Sequence, residues 1–214
     1  MLKVWGRRNS ITVPQALWAL GETGVAHQHI DAGGQFGGLD TPEFHAMNPN
    51  MRVPVIDDGG TIVWESHSIV RYVAAKYGSG TLWNEDPAIR AKADEWIDWT
   101  LADLQPAALG LFWGFWRTPE PQRNLQMIRN ATARSAKLFQ LLDEHLAGRK
   151  FVAGDDFTMG DIPAGAQLFR YFGMPIERPS LPNVEAWYER LKDRPAYREH
   201  VMVSFQDMKG RTNF

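Results

Sequence analysis

Asn48-Pro49-Asn50-Met51-Arg52-Val53-Pro54-Val55-Ile56-Asp57-Asp58-Gly59-Gly60-Thr61-Ile62-Val63-Trp64-Glu65-Ser66 organises the first third of this 214-residue chain. Two β-branched runs flank Asp-Asp-Gly-Gly, whose residues tolerate positive φ, so residues 53–64 are expected to form a hairpin. A proline directly before a buried-looking strand removes a ladder donor and is unusual there. An X-Pro bond can be cis, which would turn the preceding carbonyl and amide outward toward a ligand. Glu65-Ser66 opens an apolar helix expected over Ser66 to Tyr77. Helix N-termini attract carboxylates through free N–H groups and the dipole. An exposed backbone edge, a carboxylate acceptor and an anion-binding helix start would together suit a short peptide with both an amine and a carboxylate.

Outward from this stretch, residues 1–77 give an α/β order. Leu2 to Trp5 is a short strand and Gly6 to Thr12 a polar loop. Val13, Ala16, Leu17 and Leu20 then fall at helical spacing. Pro14 suits the first turn of that helix. A second strand near Ala26 to Asp31 follows, then a glycine-rich loop from Ala32 to Leu39, an irregular polar stretch to Pro49, the hairpin and the helix. Strand, helix, strand, irregular segment, strand, strand, helix is a thioredoxin-like order. Gly78 begins a linker to about Pro87, and beyond it helical patterns dominate: Ile89 to Leu109, Ile128 to Leu146, Ile162 to Phe172, Glu185 to Leu191 and Pro195 to about Val201. The expected class is α+β, with a thioredoxin-like α/β domain over 1–80 and an all-helical domain over 87–214.

The composition narrows the function. A net charge of −2 and a pI near 6.3 argue against a nucleic-acid surface. The run of apolar residues and glycine through Leu109 to Trp116 is far too short to span a bilayer, and no secretory h-region is visible at the start. Cysteine is absent, which removes disulfides, zinc-thiolate sites and a protein thiol nucleophile; a cytoplasmic location is the expectation. His27 and His29 alternate on one strand face without a third nearby ligand, so no metal site is expected.

Several residues carry candidate chemistry, each with a plainer reading beside it. Asn9-Ser10-Ile11-Thr12 precedes a helix, where Ser and Thr are ordinary caps. A hydroxyl there can also donate to a ligand thiolate, which forms more readily beside donors and a helix N-terminus. No tyrosine precedes Tyr72, so a tyrosine hydroxyl from this loop is excluded. Gln35 is either loop or a carboxylate-binding amide. Phe112, Trp113, Phe115 and Trp116 are core by default; the alternative is the apolar wall of a second-substrate pocket. Asp98 and Asp103 belong to a solvated helix face or to one facing the first domain or a partner subunit. Thr158-Met159-Gly160-Asp161 resembles a capping box with Asp161 in place of Glu or Gln.

Taken jointly, Asn48 to Pro54, the Asp58-Gly59 turn, Glu65-Ser66-His67-Ser68-Ile69 with Tyr72, the Thr158 to Asp161 box and Arg194-Pro195-Ala196-Tyr197 resemble the cytosolic glutathione transferases over nearly the whole chain. Gly6 to Val13 is similar to bacterial serine-type members related to the theta and nu classes. The resemblance implies that the backbone of Val53 pairs with the cysteinyl part of glutathione and that Pro54 is cis. It implies that Glu65 and Ser66 hold the γ-glutamyl end, that Arg52 stands near the glycyl carboxylate, and that Gln35 is a glutathione-contacting loop position. Ser10 and Thr12 match the residues that touch the sulfur, with Asn9 as a further candidate. Asp103 falls near where some classes reach the γ-glutamyl amine of the other subunit. Expected from this are a homodimer, glutathione as co-substrate, no metal, and thiolate attack on a small apolar electrophile or a disulfide in detoxification. Disulfide reductase, peroxidase or dehalogenase side activity fits the same chemistry. The principal rival is a non-enzymatic protein of this fold that binds apolar ligands or a protein partner. A glutathione-dependent isomerase is weaker, because the Ser-Ser-Cys type of loop is absent.

Overall fold

The computed structural model describes residues 1–212. Strand β1 (Leu2–Trp5) is followed by helix α1 (Val13–Thr23) and strand β2 (His27–Ile30). Helix α2 (Pro42–Met47) precedes the hairpin of β3 (Val55–Asp58) and β4 (Thr61–Trp64), and helix α3 (Ser66–Tyr77) closes the unit. The four strands lie in the order β2-β1-β3-β4. β1 runs parallel to β2, with Leu2 opposite His27, and antiparallel to β3, with Val4 opposite Ile56. The parallel pair requires a crossover, and α1 supplies it. The hairpin turns at Gly59-Gly60, with φ of +63° and +97°, values at which a Cβ is strained.

Leu2, Val4 and Ile56 of the sheet are buried with Leu17 of α1 and Ile69 and Val73 of α3. The thioredoxin-like unit and the helices that follow it share one continuous core. Trp18 of α1 has no exposed surface and meets the Tyr197 ring edge-on at 4.7 Å and Phe157 at 5.5 Å.

The helical part contains α4 (Pro87–Trp99), α5 (Gln105–Leu111), α6 (Leu125–Leu146), α7 (Asp161–Gly173), α8 (Pro182–Lys192) and α9 (Pro195–His200). α4 and α5 belong to one helical stretch from Pro87 to Arg117, interrupted by wider π-type turns at Thr100–Leu104 and Phe112–Arg117. The first ends two residues before Pro106, which has no N–H to continue the ladder. The sequence predicts the end of this helix at Leu109; the structure carries it eight residues further, to Arg117.

Helix α2 falls in the segment expected to be irregular. Its signal is short: Thr41 accepts from the Phe44 amide, Pro42 occupies the first turn and Glu43 follows. The Asp161 half of the box at Thr158 forms and extends further, while the Thr158 hydroxyl accepts from the Gly160 amide at 3.3 Å instead of capping the first turn of α7. Asp161, fully buried, accepts from the backbone N–H of Thr158 (2.9 Å) and Val152 (3.0 Å) and from Trp187 Nε1 (3.1 Å). Among the described residues, no helix is long and apolar enough to cross a membrane.

Candidate functional site

The loop between β1 and α1 leaves the sheet at Gly6, whose amide donates to the Ile30 carbonyl at 2.9 Å. A side chain at Gly6, where φ is +149°, would collide with Val13. Ser10 lies at the far end of this loop and is only 6% exposed. Its Oγ accepts from the Thr12 amide at 3.3 Å, a local serine turn. Thr12 sits at the N-cap of α1, yet its side chain makes no capping bond. Its hydroxyl instead donates to the Val53 carbonyl at 3.1 Å. Ser10 Oγ and Thr12 Oγ1 are 3.1 Å apart. Thr12 has one hydroxyl proton, and Val53 takes it, so the serine is the donor of that pair. The result is a directed chain from Ser10 to Thr12 to the Val53 carbonyl.

The Val53–Pro54 bond is cis. Val53 is held from behind by Asn48, whose Nδ2 donates to the Arg52 carbonyl at 2.8 Å while its Oδ1 accepts from the Asn50 amide at 3.0 Å. Asn48 is 2% exposed, so this polar side chain exists to shape the turn. A carbonyl oxygen has two lone pairs, so Val53 can accept from Thr12 and from a ligand N–H together.

Glu65 stands at the start of α3 with φ +68° and ψ 120°, an unfavourable conformation for a residue with a Cβ, and its side chain is exposed. Ser66 opens the helix and is 3% exposed. Behind it His67 is also 3% exposed, and burial together with the Arg71 cation pushes its imidazole down to about 4. The Arg52 side chain is exposed. Ser10, Thr12, Val53, Pro54, Glu65 and Ser66 therefore sit on the loop before α1, the turn before β3 and the start of α3, three segments that follow or precede paired strands at one end of the sheet. Gln35, in a short 3₁₀ turn at Gly34–Phe36, lies on the other side of the β1–α1 loop. It lines an open depression of about 450 Å³ with Arg8, Asn9, Phe36, Ser204 and Asp207. The Asn9 side-chain amide is engaged there by the Asp207 carboxylate at 3.0 Å.

The aromatic residues do not line one cavity. Phe112 and Trp116 are 1% and 4% exposed and meet Phe205 edge-on at 5.7 and 5.2 Å. Trp116 Nε1 donates to the Phe205 carbonyl at 3.2 Å. Trp113 points outward, with the Arg117 guanidinium 3.8 Å from its ring centroid. Of the three residues expected to wall a second-substrate pocket, Phe112 and Trp116 are buried and Trp113 is at the surface, because helical spacing separates Trp113 from its neighbours around the helix. Asp98 faces the first domain, bound to Arg71 of α3, which also holds Asp94. Asp103 lies 3.6 Å from Arg134 of α6. His29 Nε2 contacts the Gly6 carbonyl and His27 Nδ1 the Val25 carbonyl, so each ring serves backbone.

Comparison with known proteins gives a consistent result. Residues 1–75 match the family model described as "Glutathione S-transferase, N-terminal domain", and residues 104–195 match "Glutathione S-transferase, C-terminal domain". The chain is 40% identical to "Glutathione S-transferase GstB" of Escherichia coli K12, over 95% of this chain and 99% of that protein. It is 30% identical to "Glutathione S-transferase 3" of Zea mays, covering 94% and 93% of the two. Among solved structures it is similar to the theta class glutathione S-transferase of Xanthomonas axonopodis pv. citri with glutathione bound, with a TM-score of 0.92 and 47% identity, covering 95% and 98% of the two chains.

Proposed function

The chain belongs to the glutathione S-transferase family and is a glutathione transferase, and from that premise we propose how its own residues divide the work. Glutathione lies along the end of the sheet, its cysteinyl backbone paired with Val53 beside Pro54. Its γ-glutamyl end meets Glu65, Ser66 and the N-terminus of α3, its glycyl carboxylate lies toward Arg52, and Gln35 contributes from its loop. Ser10 supplies the hydroxyl that faces the sulfur, its proton turning from Thr12 Oγ1 to the sulfur when glutathione binds. The observation that carries this division is the chain from Ser10 through Thr12 to Val53. It binds the sulfur-facing hydroxyl to the residue that would hold the same cysteinyl unit.

The chemistry follows from placement. The hydroxyl donor and the start of α1 favour the thiolate over the thiol. The thiolate then forms a bond to an electrophilic carbon with departure of its leaving group, or attacks one sulfur of a disulfide and releases the other as thiolate. With Phe112 and Trp116 in the core, we place the second substrate over the depression that Asn9, Phe36 and Ser204 border. Steady-state turnover with a panel of aryl halides, haloacids, peroxides and small disulfides tests this. Substitution at Phe36 or Ser204 should change KM for the second substrate and leave that for glutathione unchanged; the reverse pattern would remove the depression from the site.

A homodimer and a cytoplasmic site of action complete the proposal. Ile62 and Trp64 share one face of the edge strand β4 and are 38% and 37% exposed, and Leu101 is 47% exposed. Such apolar surface on an edge strand favours a covering partner. A monomeric mass by light scattering at micromolar concentration would count against the dimer.

A further inference from the structure

The backbone of the β1–α1 loop is held from the helical domain by Arg170, 160 positions beyond Ser10. Arg170 Nη2 on α7 donates to the Asn9 carbonyl at 2.6 Å and to the Ser10 carbonyl at 2.9 Å. The guanidinium lies 4.5 Å from the Phe112 ring centroid and 5.9 Å from that of Phe205. Phe112, one of the residues that the sequence assigns to a substrate wall, thus joins Phe205 as the seat of an arginine.

We propose that Arg170 is a positioning residue for the sulfur site, fixing the direction of the Ser10 loop and holding a positive charge behind it. This rests on the reading of Ser10 as the residue facing the sulfur. Two consecutive carbonyls turned toward one guanidinium nitrogen fix the peptide planes around Ser10, and hence the direction in which its side chain leaves the backbone. A cation beside the loop also favours a thiolate over a thiol. Burial, together with repulsion from Arg7 and Arg117 that Asp207 partly opposes, pushes its pKa down to about 9. It remains cationic at neutral pH.

The test is the ultraviolet absorbance of bound glutathione thiolate against pH in Arg170→Gln, Arg170→Lys and Ser10→Ala, alongside KM, kcat and the thermal midpoint. Arg170→Gln should raise the bound thiol pKa by about one unit and lower turnover near neutral pH about tenfold, with KM for glutathione changed less than about threefold. Arg170→Lys keeps the charge on a side chain one bond shorter than the path to Nη2, which loosens its hold on the two carbonyls, so it should show about half that shift. A Gln variant whose titration matches wild type, with stability and turnover falling in parallel, would overturn the proposal and leave Arg170 as a domain staple. If the Gln variant does not fold, a Lys variant with a wild-type titration overturns it equally. Ser10→Ala separates the two ideas. If its curve moves and the Arg170 curves do not, only the role of Arg170 fails; if its curve stays at wild type, the assignment of Ser10 itself fails.

Discussion

The Thr12 hydroxyl donates to the Val53 carbonyl across 3.1 Å, joining the loop before α1 to the residue before the cis proline. Thr12 holds a backbone carbonyl with its proton, whereas Ser10 donates only to the Thr12 hydroxyl, so the Ser10 proton is the one free to turn from Thr12 to a sulfur when glutathione binds. Ser10→Ala should therefore raise the bound thiol pKa by about one to two units, the worth of one hydrogen bond to a charged group. Thr12→Val should instead loosen Val53 and weaken glutathione binding, with a smaller titration shift. Thiolate absorbance and calorimetric affinity measured on both variants check this. A Thr12→Val curve displaced as far as that of Ser10→Ala would mean that the threonine faces the sulfur.

Glu65 keeps φ at +68° with its side chain in solvent, an arrangement that packing alone does not ask for. Glu65→Gln should weaken glutathione binding roughly ten- to a hundredfold, through loss of a charge-assisted hydrogen bond worth about 1.5–3 kcal/mol. Calorimetric titration reads it directly, and wild-type affinity in the variant would take Glu65 out of the site.

Asp161→Ala should damage folding rather than chemistry. It strands the N–H groups of Val152, Thr158 and Trp187 in a fully buried place. The loss should exceed that of a simple cap and reach about 3 kcal/mol or more. Chemical denaturation measures it, and turnover per folded molecule should stay at the wild-type level. An unchanged denaturation midpoint with collapsed turnover would reverse the assignment.

His67 makes stability depend on pH. Its imidazole, ordinarily at 6.5, titrates at about 4 in the fold, chiefly because burial disfavours the cation and Arg71 repels it, while Asp98 partly opposes. The unfolded chain therefore binds a proton first. The stabilisation is complete above about pH 6.5 and is lost as pH falls toward 4, by about 3 kcal/mol in all. Asp161 acts in the opposite sense, since burial raises its carboxyl from 3.8 to about 6 and its contribution grows as pH falls through that range. The difference in thermal midpoint between wild type and His67→Gln isolates the histidine. It should narrow steadily from pH 6.5 to 4, and a difference independent of pH would exclude the effect.

The sequence alone determined what is written within a few residues. Alternating Val and Ile around Gly59-Gly60 make the hairpin, because only glycine enters that turn without strain. Ser66 to Tyr77 and Leu2 to Trp5 have the bounds that their apolar periods predict. Ser10, Thr12, Val53, Glu65 and Ser66 stand out because each abuts a helix start or the proline turn. Helix α2 escaped notice because six residues give too short a period, leaving only Thr41-Pro42 to announce it. The tertiary structure decided which neighbour each side chain meets. A tryptophan at helical spacing has the same pattern whether it lines a pocket or fills a core, and only the arrival of Phe205 assigned Phe112 and Trp116 to the core. Arg170 meets Asn9 and Ser10, Trp187 meets Asp161, and Thr12 meets Val53 across separations of 161, 160, 26 and 41 residues. Hydrogen bonds act over about 3 Å, so contacts between residues this far apart in the chain exist only once each domain has folded, and those of Arg170 only once the two domains have packed.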